Sequence, residues 1–191
     1  MKMYKMKYVW LKCLIVPLVV LTLSSLKLNG QEYAIGADLS FLKSAEDRGF
    51  AFRENDSVKS GLQIFKDHGY NWIRLRLFHT PKELPNNLGY TIALAKKAKE
   101  MGFKFLLDFH YSDTWADPGK QFIPKAWEGF THQQLVKAVL DYSTETIKVF
   151  RQEHVLPDMV QIGNEVIYGM LWPARIRSAK FLQFSGSFPS G

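Results

Sequence analysis

The sequence predicts an α/β fold built on a parallel sheet, and three observations carry that prediction. Short apolar strand-like runs alternate with longer amphipathic stretches, four strands against three helices. The returns into each strand are brief, whereas the segments that leave the strands are long and polar. Polar or charged residues stand where each of the four strands runs out. Alternation of this kind requires crossover helices between parallel strands.

The elements follow in order. "EYAIGADLSFL" (32–42) reads as the first strand, and the polar "KSAEDRGFAFREND" (43–56) as a loop of the length usually kept for function. In "SVKSGLQIFKDHG", Val58, Leu62 and Phe65 recur at helical spacing, with Asp56 or Ser57 as the cap and Gly69 as the stop. "NWIRLRLFHT" alternates, with Ile73, Leu75 and Leu77 on one face and Arg74, Arg76 and Phe78 on the other. "TIALAKKAKEMG" is a second helix and "FKFLLDFHYS" a third strand. The long loop "DTWADPGKQFIPKAWEGF" leads to a third helix, "THQQLVKAVLDYSTETIKVFRQEH", whose buried stripe is Leu135, Val139, Ile147 and Phe150. "DMVQIGNEV" is the fourth strand. Long loops after strand C-termini mark the working face of a (β/α)8 barrel, the TIM-barrel arrangement. A doubly wound sheet would carry a glycine-rich phosphate turn after its first strand, and "IGADLSFL" has none. The expected architecture is therefore the first four β/α units of a barrel, an incomplete ring.

Residues 1–30 read as a secretory signal peptide: Lys2, Lys5, Lys7 and Lys12 precede an apolar run, which small and polar residues follow. That run is too short for a membrane span of about 20 residues, and Pro17 interrupts it. A retained anchor is the competing reading. Export implies a secreted, periplasmic or cell-surface protein with no membrane attachment after cleavage. Five of the 25 basic residues and none of the 18 acids fall in this leader, leaving 20 positive against 18 negative charges. Arg175, Arg177 and Lys180 lie in the last 18 residues, so the segment 31–173 is close to neutral. Nucleic-acid binding needs a basic patch on the folded domain, and none is evident. The single cysteine, Cys13, lies in the leader, so no disulfide or thiolate metal site is expected in the mature chain.

The polar strand ends are Asp38, then Arg74 and Arg76, then Asp108 and His110, then Asn164 and Glu165. Four strands that all end in polar groups are hard to account for as packing, because burying such groups unpaired is costly. The histidines, at 68, 79, 110, 132 and 154, lack metal-ligand spacing, and no serine nucleophile motif occurs. No cofactor or metal is expected. Carboxylates remain, beside aromatics on the loops: Tyr111, Trp115, Trp127 and Trp172. Flat rings among carboxylates and amides suit a sugar, although each tryptophan could equally pack its loop onto the barrel.

"FLLDFHYSDTWADPGKQFIPKAW" followed by "QIGNEVIYGMLWP" resembles glycoside hydrolase family 53, the arabinogalactan endo-β-1,4-galactanases. "GADLSFL" and "NWIRLRLFHTP" fit as well, and the likeness runs from about Tyr33 to Pro173. The resemblance implies a retaining hydrolase that cuts β-1,4-galactan or arabinogalactan. It implies Glu165 as the acid/base and Asn164 as the residue that bonds the substrate's 2-hydroxyl. Arg76, with Arg74 as the other choice, braces the nucleophile; His110, Trp115 and Asp38 line the site. A general acid must carry its proton into the reaction, so partial burial of Glu165 near a second carboxylate is the expected setting.

In that family the nucleophile is a glutamate ending strand seven, and this chain supplies no such strand. "ARIRSAKFLQFSGSFPSG" (174–191) carries no acid and no apolar periodicity, and reads as a non-family, disordered tail. The expectation is a truncated, inactive chain, with unpaired sheet edges that invite aggregation. Two alternatives stand beside it: a non-catalytic galactan-binding remnant, and a related clan glycosidase acting on another β-1,4-glycan.

Overall fold

The computed structural model describes residues 33–174. Residues 1–30, expected to be a leader, and the expected tail beyond Ala174 lie outside the described residues.

Four strands form one parallel sheet: β1 (Gly36–Asp38), β4 (Trp72–Leu77), β5 (Lys104–Phe109) and β6 (Met159–Ile162). Their order in space is their order along the chain. The crossovers are α2 (Gly61–Asp67), α3 (Leu88–Glu100) and α4 (His132–Gln152). Each begins at a polar cap. Ser60, Asn87 and Thr131 accept hydrogen bonds from the backbone N–H of Gln63, Tyr90 and Gln134, and Thr131 and Gln134 complete a reciprocal capping box.

The loop expected at 43–56 is structured. It holds a short helix α1 (Leu42–Asp47), and a hairpin of β2 (Phe52–Glu54) and β3 (Ser57–Lys59) follows it. Val58 therefore belongs to a strand and is exposed, and the cap of α2 is Ser60 rather than Asp56 or Ser57. The spacing of Val58, Leu62 and Phe65 matches a helix by coincidence. Three-residue strands are too short to show a period of their own.

The two faces of the sheet differ in kind. Ile73, Leu75 and Leu77 of β4, with Phe105, Leu107 and Phe109 of β5, are buried in one core with Leu94, Ala95, Leu135 and Phe150. Each such Ile, Leu or Phe side chain contributes about 1.5–3 kcal/mol on burial. The opposite face carries Trp72, Arg74 and Arg76 on β4, Leu106 and Asp108 on β5, and Met159 and Gln161 on β6. In register, Asp38 lies beside Arg74 and Arg74 beside Leu106; one step up, Arg76 lies beside Asp108 and Asp108 beside Gln161. The alternation read in "NWIRLRLFHT" thus separates a helix-covered side from a polar inner side. Among the described residues, β1 and β6 each have one edge without a neighbouring strand. No described helix is long and apolar enough to cross a membrane.

Candidate active site

The strand ends converge on Arg74. Its Nη1 donates to Asp38 Oδ2 at 2.7 Å, and its Nη2 donates to Asp108 Oδ2 at 2.5 Å and to Asn164 Oδ1 at 2.6 Å. One guanidinium therefore joins β1, β4, β5 and the segment after β6. Asp108 is fully buried, and an ionised carboxylate there needs this partner. Asp38 is also held by Arg76 Nη2 at 2.9 Å and by the Ser40 hydroxyl at 2.5 Å.

Asn164, 2% exposed, has both ends of its amide engaged. Nδ2 donates to the Ala116 carbonyl at 2.6 Å, opposite the Arg74 contact on Oδ1. The Ala116 N–H donates to His110 Nδ1 at 3.1 Å, which leaves the proton of a neutral imidazole on Nε2. That Nε2 lies 3.2 Å from Asp108 Oδ2, off the hydrogen-bonding direction. The contacts close a ring: Asp108, Arg74, Asn164, Ala116, His110 and back to Asp108. Its two strand-end loops are pinned further where Gln121 Nε2 donates to the Asn164 carbonyl at 2.7 Å.

Glu165 follows in the left-handed region, at φ 50°. A bulky residue holds that conformation only where its surroundings impose it. Gly163, at φ +86°, makes the corner possible, since a Cβ there would sit 2.6 Å from Val166 Cγ1. Glu165 is exposed, not partly buried as expected. Its charge reaches Arg76, whose pKa is lowered from the ordinary arginine value mainly by burial, against the pull of Asp38, Asp108 and Glu165.

Arg76 lies over the Trp115 ring, 4.2 Å from its centroid, and Phe41 stacks near that ring at 5.9 Å. Trp115 is thus half-buried on the rim of the cluster. The other aromatics divide between packing and surface. Tyr111 is buried, with its hydroxyl on Ser143 at 2.7 Å; Trp127 is buried against His79 and Tyr142. Trp172 is half-buried, its indole N–H donating to the Gly169 carbonyl. Of the site residues named from the sequence, Asp38, Arg74, Arg76, His110, Trp115 and Asn164 are joined by contacts at the strand ends and the loops that leave them, and Glu165 follows Asn164 with its charge acting on Arg76. His110 and Asn164 are built into the wall. The sequence did not single out Ala116, because its contribution is made by backbone N–H and C=O groups.

The sequence model described as "Glycosyl hydrolase family 53" matches residues 34–191. The arabinogalactan endo-beta-1,4-galactanase of Cellvibrio japonicus is 43% identical over 135 residues, which cover 70% of this chain and 36% of that protein. A solved structure, the Ignisphaera aggregans GH53 catalytic domain, superposes with a TM-score of 0.70 at 39% identity, over 76% of this chain and 44% of that one. Another, from a study of two fungal beta-1,4-galactanases, gives a TM-score of 0.71 at 33% identity, over 75% and 43%. The four-stranded open sheet corresponds to part of a (β/α)8 barrel. The chain spans less than half the length of the relatives it matches.

Proposed function

Because the chain belongs to glycosyl hydrolase family 53, we propose that this face is the acid/base side of a retaining endo-β-1,4-galactanase site, exported to act on galactan or arabinogalactan. The carrying observation is the convergence of Asp38, Asp108 and Asn164 on Arg74 beside Glu165. Hydrolysis through an oxocarbenium-like state needs a proton for the leaving oxygen and negative charge beneath the ring. Glu165 is exposed at the sheet's C-terminal rim, where it is free to reach a leaving oxygen and later to activate water. Arg76 and Trp115 offer a sugar a polar rim and a flat apolar surface beside it. Asn164 has one amide hydrogen left for a substrate hydroxyl, its other groups being engaged.

A retaining site also needs a second carboxylate about 5 Å from the first. Asp108 is fully buried, and both Asp38 oxygens are engaged, Oδ1 by Ser40 and Oδ2 by the two arginines, so neither is placed for attack on an anomeric carbon. The nucleophile then comes from outside the described residues, and the chain by itself does not turn over galactan. The same observation favours a second reading, a galactan-binding remnant without catalysis. The leader sequence supports export.

Reducing-sugar assays on β-1,4-galactan, run beside affinity electrophoresis in a galactan gel, test these readings together. Retarded migration without cleavage is the result expected for the 191-residue chain. Unretarded migration contradicts a galactan site, and measurable cleavage contradicts the missing nucleophile.

A further inference from the structure

A second hollow opens beside Trp115, on the same rim. It measures about 430 Å³ and lies between the loop leaving β4, with Lys82, Glu83 and Leu84, and the loop leaving β5, with Asp113, Trp115 and Lys125. That volume is within the range of small-ligand sites. Asp113 makes the hollow rigid: Oδ1 accepts from the Thr80 N–H at 2.9 Å and Oδ2 from the Lys125 N–H at 2.8 Å, so one carboxylate fastens both walls. Those two backbone donors occupy the Asp113 charge locally.

Lys82 and Lys125 are exposed, and no ion pair or hydrogen bond among the described residues engages either ammonium. The lining balances two cations against two anions, Glu83 and Asp113, but both Asp113 oxygens are already engaged by backbone N–H groups, whereas the two ammoniums are not. Trp115 belongs both to this hollow and to the cluster under Arg76. A sugar chain that lies over Arg76 therefore passes directly from one to the other. An aromatic wall suits a sugar ring, and two free ammoniums suit a carboxylate on that ring.

Building on the galactan-site reading, we propose that this hollow is a flanking subsite that takes a uronate unit, a sugar bearing a carboxylate, attached to the polysaccharide. The unit's ring packs on Trp115 and its carboxylate meets Lys82 and Lys125.

The test uses the 191-residue chain, shown folded by near-ultraviolet circular dichroism, and two probes. One is β-1,4-galactotetraose, and the other is the same tetraose with a terminal C6 oxidised to a carboxylate. Two exposed ion pairs predict that the oxidised probe binds roughly three- to ten-fold more tightly at low ionic strength. The advantage falls away near about 0.5 M salt, where screening is nearly complete. It also disappears in the K82Q/K125Q variant, whose two exposed substitutions leave the fold and the binding of neutral tetraose unchanged. Equal affinity for the two probes overturns the subsite and leaves the galactan reading intact. An advantage that survives K82Q/K125Q overturns the subsite as well. Binding of neither probe by the folded chain overturns both.

Discussion

Arg74 and Asn164, 90 residues apart in the chain, meet through a 2.6 Å hydrogen bond from Nη2 to Oδ1. The same nitrogen holds Asp108 at 2.5 Å, so the orientation of the Asn164–Glu165 corner depends on a charge pair two strands away. Strand β5 lies between β4 and β6, and the guanidinium passes across it.

Removing that guanidinium leaves a fully buried carboxylate unpaired. Arg74→Ala is expected to cost about 3–5 kcal/mol, the usual penalty for breaking a buried pair from one side. Asp108→Asn in the Arg74→Ala background restores part of the loss. Urea denaturation of the two single variants and the double variant measures the coupling; independent, additive effects contradict the ring.

Gly163 turns the chain into the Asn164–Glu165 corner. Gly163→Ala meets both an unfavourable φ of +86° and a Cβ placed 2.6 Å from Val166 Cγ1. A loss of about 1–3 kcal/mol is expected from strain of this kind. Adding Val166→Ala relieves the collision but not the backbone term, so recovery is partial. A thermal melt reads both.

His79 sets a pH dependence. Burial against Trp127 and Tyr142 lowers its pKa below the ordinary histidine value, against the opposing charge of Asp113. The folded state then binds fewer protons than the unfolded state below about pH 6.5. The neutral ring's contribution is complete above that pH and is lost progressively on acidification towards the lowered folded value. Stability at pH 5 is therefore lower than at pH 7, and His79→Gln flattens part of the slope. A slope unchanged in that variant contradicts the assignment.

The outer edges of β1 and β6 have no strand partner among the described residues, and the sheet's inner face is only half-buried. Open edges pair with other chains. Sedimentation of the 191-residue chain is expected to show concentration-dependent association, and a monomer that melts cooperatively at all concentrations contradicts it.

The sheet was legible where burial is one-sided. Residues 72–77 alternate between helix-covered apolar and inner polar side chains, and residues 104–109 are bounded by a helix stop and a polar loop. The hairpin at 52–59 was not, because three residues per strand are too few to carry a period and Val58 fell by chance at helical spacing from Leu62. Polar strand ends pointed to the cluster around Arg74, since nothing else explains four such ends. The partners within it were not readable. Asn164 and His110 are fixed by the backbone of Ala116, which is invisible in side-chain chemistry. Nor could composition tell the packing aromatics Tyr111 and Trp127 from the rim residue Trp115, since the same ring serves either purpose.

Glu165 carries the proposed proton transfer, and one substitution tests it. Residues 34–173 are placed in the galactanase of Cellvibrio japonicus in exchange for its matching segment, and Glu165→Gln is compared with the parent chimera. General-acid assistance is worth about 10²–10⁴-fold. A loss of that size is expected on β-1,4-galactan, with formation of the glycosyl-enzyme from an aryl galactoside bearing a good leaving group largely retained. Galactan cleavage at the parent rate in the Gln variant would contradict it.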